Sequence, residues 1–96
     1  MTVRAKFRYD SYSACLYDKP SLDPTTGKAD YTKTTKVEKR TLYFTPVYHK
    51  GDPAHENSKF WEASPSGKLE LGTINEEAWS QFEMGKEYYL DFTPAE

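Results

Sequence analysis

The sequence has a single cysteine, Cys15, so no disulfide framework can form within the chain. Its apolar stretches are short, whereas a membrane-crossing helix needs about 20 mainly apolar residues. The opening residues, Met1 to Lys6, lack the apolar core of a secretory signal, which leads to the expectation of a cytoplasmic protein with no membrane role. The five glycines are scattered, and no glycine-rich run opens a helix to cradle a phosphate. There is no internal repeat and no low-complexity tract. A net charge of −2 argues against a general nucleic-acid coat. At 96 residues the chain is too short for two separate cores, so residues 1–96 are expected to form one domain.

What the chain does have is aromatic side chains, 16% of the sequence with eight tyrosines. Each aromatic ring buries ~150–250 Å², so a few of them can close a small core that has little leucine or isoleucine. Tyrosine and phenylalanine also favour strands, so the composition predicts a small β-rich domain.

Charge is distributed unevenly. Residues 1–50 hold ten Lys and Arg against five Asp and Glu, a balance of +5, while residues 51–96 hold three against ten, a balance of −7. Such a split has two physical readings. It can mark a basic binding surface, or it can place basic strands opposite acidic ones in one sheet.

Val3, Ala5, Phe7 and Tyr9 alternate with Arg4, Lys6 and Arg8, the period of a half-buried strand. Asp10-Ser11 marks a turn or bulge, after which Tyr12, Ala14 and Leu16 continue as a second strand or as the same strand bent. Residues 18–35 carry the turn signals Asp18-Lys19-Pro20, Asp23-Pro24 and Thr26-Gly27-Lys28, and are expected to form a long polar loop. Strand character returns over 36–48, with Pro46 marking an edge or bulge. Asp52-Pro53 predicts one helical turn through Ala54, His55 and Glu56. Residues 59–74 are expected to form a hairpin, with Phe60 to Ala63 as its first strand and Pro65-Ser66-Gly67 as its turn. Asn75 has the character of an N-cap, and a short helix near residues 75–83 should end at Gly85. Lys86 to Phe92 reads as the last strand. The order predicts a mainly β fold, a small antiparallel barrel or sandwich of OB-like or SH3-like type. A two-layer sheet with one covering helix is the other candidate.

The segments Phe60 to Leu71, Thr73 to Glu76 and Met84-Gly85-Lys86-Glu87-Tyr88-Tyr89-Leu90-Asp91-Phe92-Thr93-Pro94-Ala95 resemble the C-terminal part of a family of small, uncharacterised tailed-bacteriophage proteins. The resemblance covers about residues 58–95. It implies a phage origin, a soluble β-rich fold and an infected bacterium as the setting, and it carries over no catalytic residue and no ligand.

Candidate chemistry is sparse. Cys15 sits in a strand-like run with no base beside it in sequence, so it is expected to be a buried or half-buried structural residue. His49, Asp52, His55 and Glu56 are good metal-ligand types, but their spacing matches no established ligand pattern, and Asp52 already has a role as a cap. No pair of carboxylates is set apart as a general acid and base. The expected protein is therefore a non-enzyme without cofactor or metal. Its binding residues are expected among Arg4, Lys6, Arg8, Tyr31, Tyr43, Trp61 and Tyr89, because aromatic and arginine side chains anchor interfaces. A bacterial protein is the expected partner. The alternative is single-stranded nucleic acid or a nucleotide, stacked on Tyr9, Tyr43, Trp61 and Tyr89 along the basic stripe.

Overall fold

In a computed structural model that describes residues 2–96, six elements follow one another. They are β1 (Val3–Leu22), β2 (Ala29–Pro46), α1 (Glu56–Trp61), β3 (Leu69–Thr73), α2 (Glu76–Trp79) and β4 (Glu87–Phe92). The strands form one four-stranded sheet in the order β3-β2-β1-β4. All neighbours run antiparallel. The mainly β expectation is met. The barrel is not: β3 and β4 lie at opposite edges and the sheet stays open. The chain crosses from the β3 edge to the β4 edge through α2, and that crossing covers one face.

Cross-strand pairing sets the core. Phe7 and Tyr9 of β1 share that face with Phe44 and Leu42 of β2, and Trp79 of α2 closes it. Tyr9 stacks on Phe44 at 5.2 Å, and Phe82 meets both rings edge-on at 5.6–6.2 Å. The aromatic-rich composition is thus spent largely on one cluster. Asp10 is the extra residue of a β-bulge between Tyr9 and Ser11. The bulge shifts parity by one, so Tyr12, opposite Leu42, returns to the face that Tyr9 occupied. Residues 3–17 are therefore a single bent strand.

Three expectations are corrected. First, 18–35 is not a long loop. β1 runs on to Leu22 and β2 begins at Ala29, leaving a turn over 23–28. Asp23 closes it: its N–H donates to the Lys28 carbonyl, its carboxylate accepts from the amides of Thr25 and Thr26, and Gly27 takes the required φ of +73°. Of the three turn signals only the last two make the turn. Pro20 stays in strand, opposite Thr34 and beside a second irregularity that leaves Tyr31, Thr32 and Lys33 without partners on β1. Second, Phe60 and Trp61 are helical rather than the start of a hairpin, and β3 pairs with β2 instead. The spacing of Asn57 and Trp61, one helical turn apart, directs both toward β1, where Trp61 packs on Phe7 at 6.1 Å. Third, the cap of α1 is His55, whose ring nitrogen accepts from the Asn57 amide, three residues beyond the expected Asp52. The helix expected near 75–83 begins at its Asn75 cap and is short, Glu76–Trp79.

The molecule measures 55 × 32 × 19 Å, with a radius of gyration of 17.9 Å. A compact chain of this length would have about 12–13 Å. The excess is the β1–β2 ribbon. β4 flanks β1 only from Val3 to Arg8, and β3 flanks β2 only from Arg40 to Phe44. Beyond those limits the two strands project as an unsupported arm. No residue from Asp10 to Thr41 is buried.

Candidate binding surface

The sheet has a covered face and an open one, and strand parity assigns Arg4, Lys6 and Arg8 to the open one. Their neighbours on β4 are Asp91, Tyr89 and Glu87 in register. Arg4 makes a two-pronged contact with Asp91, 2.6 Å from Nε to Oδ1 and 3.0 Å from Nη2 to Oδ2. Its guanidinium also lies 4.4 Å over the Tyr89 ring. Lys6 stands 3.5 Å from Glu56 and 3.9 Å from Glu87. Arg8 bonds Asp10 at 3.0 Å. Every cation of the stripe has a carboxylate beside it. The charge asymmetry between the two halves of the sequence is met here partly by strand pairing, Arg4 with Asp91 and Lys6 with Glu87, and partly by Glu56 of α1, while Arg8 turns to Asp10 of its own strand.

The titration behaviour follows. Hydrogen bonds from Arg4 hold Asp91 below the usual carboxylate range. The Thr45 hydroxyl, then Arg8, does the same for Asp10. Lys6 is desolvated, which lowers its pKa, but Glu56, Tyr89 and Glu87 outweigh that and raise it overall. Glu56, the first residue of α1, is brought down from 4.5 to about 2 by its own backbone N–H, then by the Tyr89 hydroxyl and by Lys6. A depressed carboxyl stabilises the fold above its unfolded value and loses that contribution as the pH falls toward its folded value. Urea melts should therefore show about 1–2 kcal/mol more acid destabilisation between about pH 5 and pH 2 in the native chain than in Glu56→Gln. Equal acid sensitivity of the two would refute the assignment.

The other expected binding residues separate. Tyr43 shares the open face, its hydroxyl 3.1 Å from Ser13 Oγ. Tyr89 is exposed there. Tyr31 lies far away near the arm tip, in the unpaired stretch beside Thr32 and Lys33, and is 75% exposed. Trp61 belongs to the covered face, packed against the core, with its indole N–H bonded to the Ser66 carbonyl at 3.0 Å. Tyr9 is buried in the core, so neither can stack a base.

Cys15 is exposed on the arm, opposite Lys39, rather than buried. The imidazoles take local roles. His49 bonds the Ala63 carbonyl and the Gly51 amide, and His55 caps α1. Among the described residues no group of three metal-ligating side chains converges.

The arm carries apolar side chains that sequence reasoning did not single out as surface. Leu16 is 73% and Leu22 66% exposed, and Tyr12 and Tyr17 are also open to solvent. The alternation of Tyr12, Ala14 and Leu16 is visible in the sequence, and their partners Leu42, Arg40 and Glu38 fall in the strand expected over 36–48, but the loop expected over 18–35 hides the continuation of both strands, to Leu22 and from Ala29, that makes the ribbon an arm. At its root the arm is clamped by Arg40, whose guanidinium lies 4.2 Å from the Tyr12 ring and 5.0 Å from Trp79 while it bonds Glu38 at 2.6 Å. Among the described residues no helix is long and apolar enough to cross a membrane.

No family model, no curated protein and no solved structure matches this chain.

Proposed function

We propose that this chain is a non-enzymatic binding protein that engages a partner protein through the outer part of its β1–β2 arm. The observation that carries this reading is the arm itself, a ribbon of exposed leucine and tyrosine with no buried residue between Asp10 and Thr41. An isolated two-stranded ribbon is marginal in water, so a surface to lie against would add much to its order. Tyr31 is the anchor of choice: a large amphipathic ring, raised on an unpaired segment whose backbone Asp30 holds by accepting from the Thr32 amide and hydroxyl. With the resemblance to small phage proteins, the partner is a bacterial protein and the role that of an accessory or host-takeover factor in the cytoplasm of the infected cell.

A pull-down from bacterial lysate tests this. The native chain should retain a defined protein, and Tyr31→Ser should weaken retention by at least about tenfold, the loss typical of an aromatic anchor. Retention unaffected by Tyr31→Ser refutes the arm as the site.

The second reading is a binder of single-stranded nucleic acid or a nucleotide on the open face of the sheet. Exposed Tyr89, opposite Lys6, and Tyr43, opposite Ser11, lie on the same open face and favour it. It requires Arg4, Lys6 and Arg8 to exchange carboxylate partners for phosphates. Titration with a single-stranded oligonucleotide at low salt decides it, since real binding should fall steeply as salt rises.

A further inference from the structure

We infer that the outer edge of β1 in the arm pairs with the same edge of a second copy of this chain, joining two ribbons into one four-stranded antiparallel sheet. This inference is independent of the partner proposed above, which would be met by the tip and Tyr31 on the opposite, β2 side.

The two edges of the arm differ in a way that selects one of them. Along β2, the free outer stretch carries Lys33, Lys36, Glu38 and Lys39, the charged guard that keeps exposed edges from pairing. Along β1, Ser11–Tyr17 carries no charge at all, and its lane beside the strand is empty because β4 ends opposite Arg8. A row of free N–H and C=O groups on an extended strand is satisfied in kind only by another extended backbone.

Self-pairing is restricted further by symmetry. Two identical antiparallel strands are related by a two-fold axis normal to the sheet, and facing residues must point to the same side, so the axis passes through one residue position. An axis at Leu16 sets the partner's Asp23 beside Tyr9, where the Gly85 amide bonds the Tyr9 carbonyl, and an earlier axis carries it further along β4, whereas an axis at Tyr17 holds Asp23 back beside Ser11. An axis at Asp18 sets two carboxylates face to face, and one at Lys19 two ammonium groups, both unfavourable. The position between these limits is Tyr17. That register places Tyr17 opposite its own copy, Tyr12 opposite Leu22 and Ala14 opposite Pro20, covering apolar side chains that are exposed in the single chain. Asp18 then faces Leu16, and its charge is already met by Lys36 within its own ribbon. Pro20 withholds one donor toward each end of the ladder. The joined sheet has four strands, above the number at which a ribbon becomes stable by itself.

Sedimentation equilibrium of the full chain across micromolar to millimolar concentrations tests the pairing. A reversible monomer–dimer equilibrium is expected, with the dimer weakened at least about tenfold by Tyr17→Asp, which sets like charges opposite each other, and retained in Tyr17→Thr. The register is read separately. Cys15→Ser combined with Tyr17→Cys should oxidise to a disulfide-linked dimer, because directly opposed residues bring their Cβ atoms within bonding reach. The native chain should not, since Cys15 would face Lys19 of the other copy. Tyr17 lies outside the core, so the tryptophan signal of the body reports that each variant is folded. A chain monomeric throughout, association indifferent to Tyr17→Asp, or no disulfide at position 17 each overturns the inference. Because partner capture is read through Tyr31, loss of one result leaves the other standing.

Discussion

Asn57→Ala should lower the unfolding free energy by about 2–4 kcal/mol, more than its size suggests. The residue is 0% exposed. Its Oδ1 accepts from the Lys6 amide at 2.7 Å, and its Nδ2 donates to the carbonyls of Lys6 and Val47 at 2.8 and 2.7 Å. β2 ends at Pro46, opposite Phe7, so the inner edge of β1 from Lys6 back toward Val3 has no strand on that side. The amide of Asn57 fills one rung of that missing ladder. Alanine would leave the Lys6 N–H and the Val47 carbonyl without partners in a dry place, each costing about 1–3 kcal/mol. Asn57→Asp should be at least as costly, because a carboxylate can replace the acceptor but neither donor, and it would bury a charge. Urea unfolding followed by the fluorescence of Trp61 and Trp79, both on the covered face, measures the change. A loss below about 1 kcal/mol for both variants would mean that water replaces the amide without cost.

Much of the sheet could be read from side-chain period alone. Val3 to Tyr9 and Lys86 to Phe92 alternate because each has one wet face, and antiparallel pairing brings their charges together as Arg4 with Asp91. The Asn75 cap was legible because its side chain bonds the backbone two residues on, a local event. What escaped is what depends on distant partners. Asn57 looks like any loop asparagine until Lys6 and Val47 surround it. Phe60-Trp61 looks like strand until Phe7 offers the ring a helical approach. The arm escaped for a different reason. Tyr12, Ala14 and Leu16 still alternate, but from Asp18 to Thr35 the residues are polar and dense in turn signals, and strand that buries nothing there shows none of the hydrophobic alternation from which strands are recognised. Of the expected binding residues, Arg4, Lys6, Arg8, Tyr43 and Tyr89 share one face, with Tyr89 among the three cations and Tyr43 further along, toward the arm. Trp61 was unpredictable by the same token as its helix.

Joining Ala14 directly to Arg40 through Asn-Gly, with Cys15–Lys39 removed, should abolish partner capture and self-association together while leaving the body folded. Ala14 and Arg40 face each other in register, and a two-residue Asn-Gly turn fits the twist of the flanking strands. The deleted stretch contains no buried residue, so no core contact is lost. The clamp of Arg40 on Tyr12 and Trp79 lies outside the deletion. Closing a shorter loop also costs the unfolded chain less entropy, which offsets the ribbon hydrogen bonds removed. The unfolding free energy should therefore change by no more than about 1 kcal/mol, although a quarter of the sequence is gone. A protein that sets aside this much chain without using it for stability maintains it for contact with something else. If the shortened chain unfolds, the arm supports the body and the exposed ribbon loses its meaning as a binding element. If it folds and still captures the same partner, the open face with Tyr43 and Tyr89 is the site, and the ion pairs along Arg4, Lys6 and Arg8 are the groups that must rearrange.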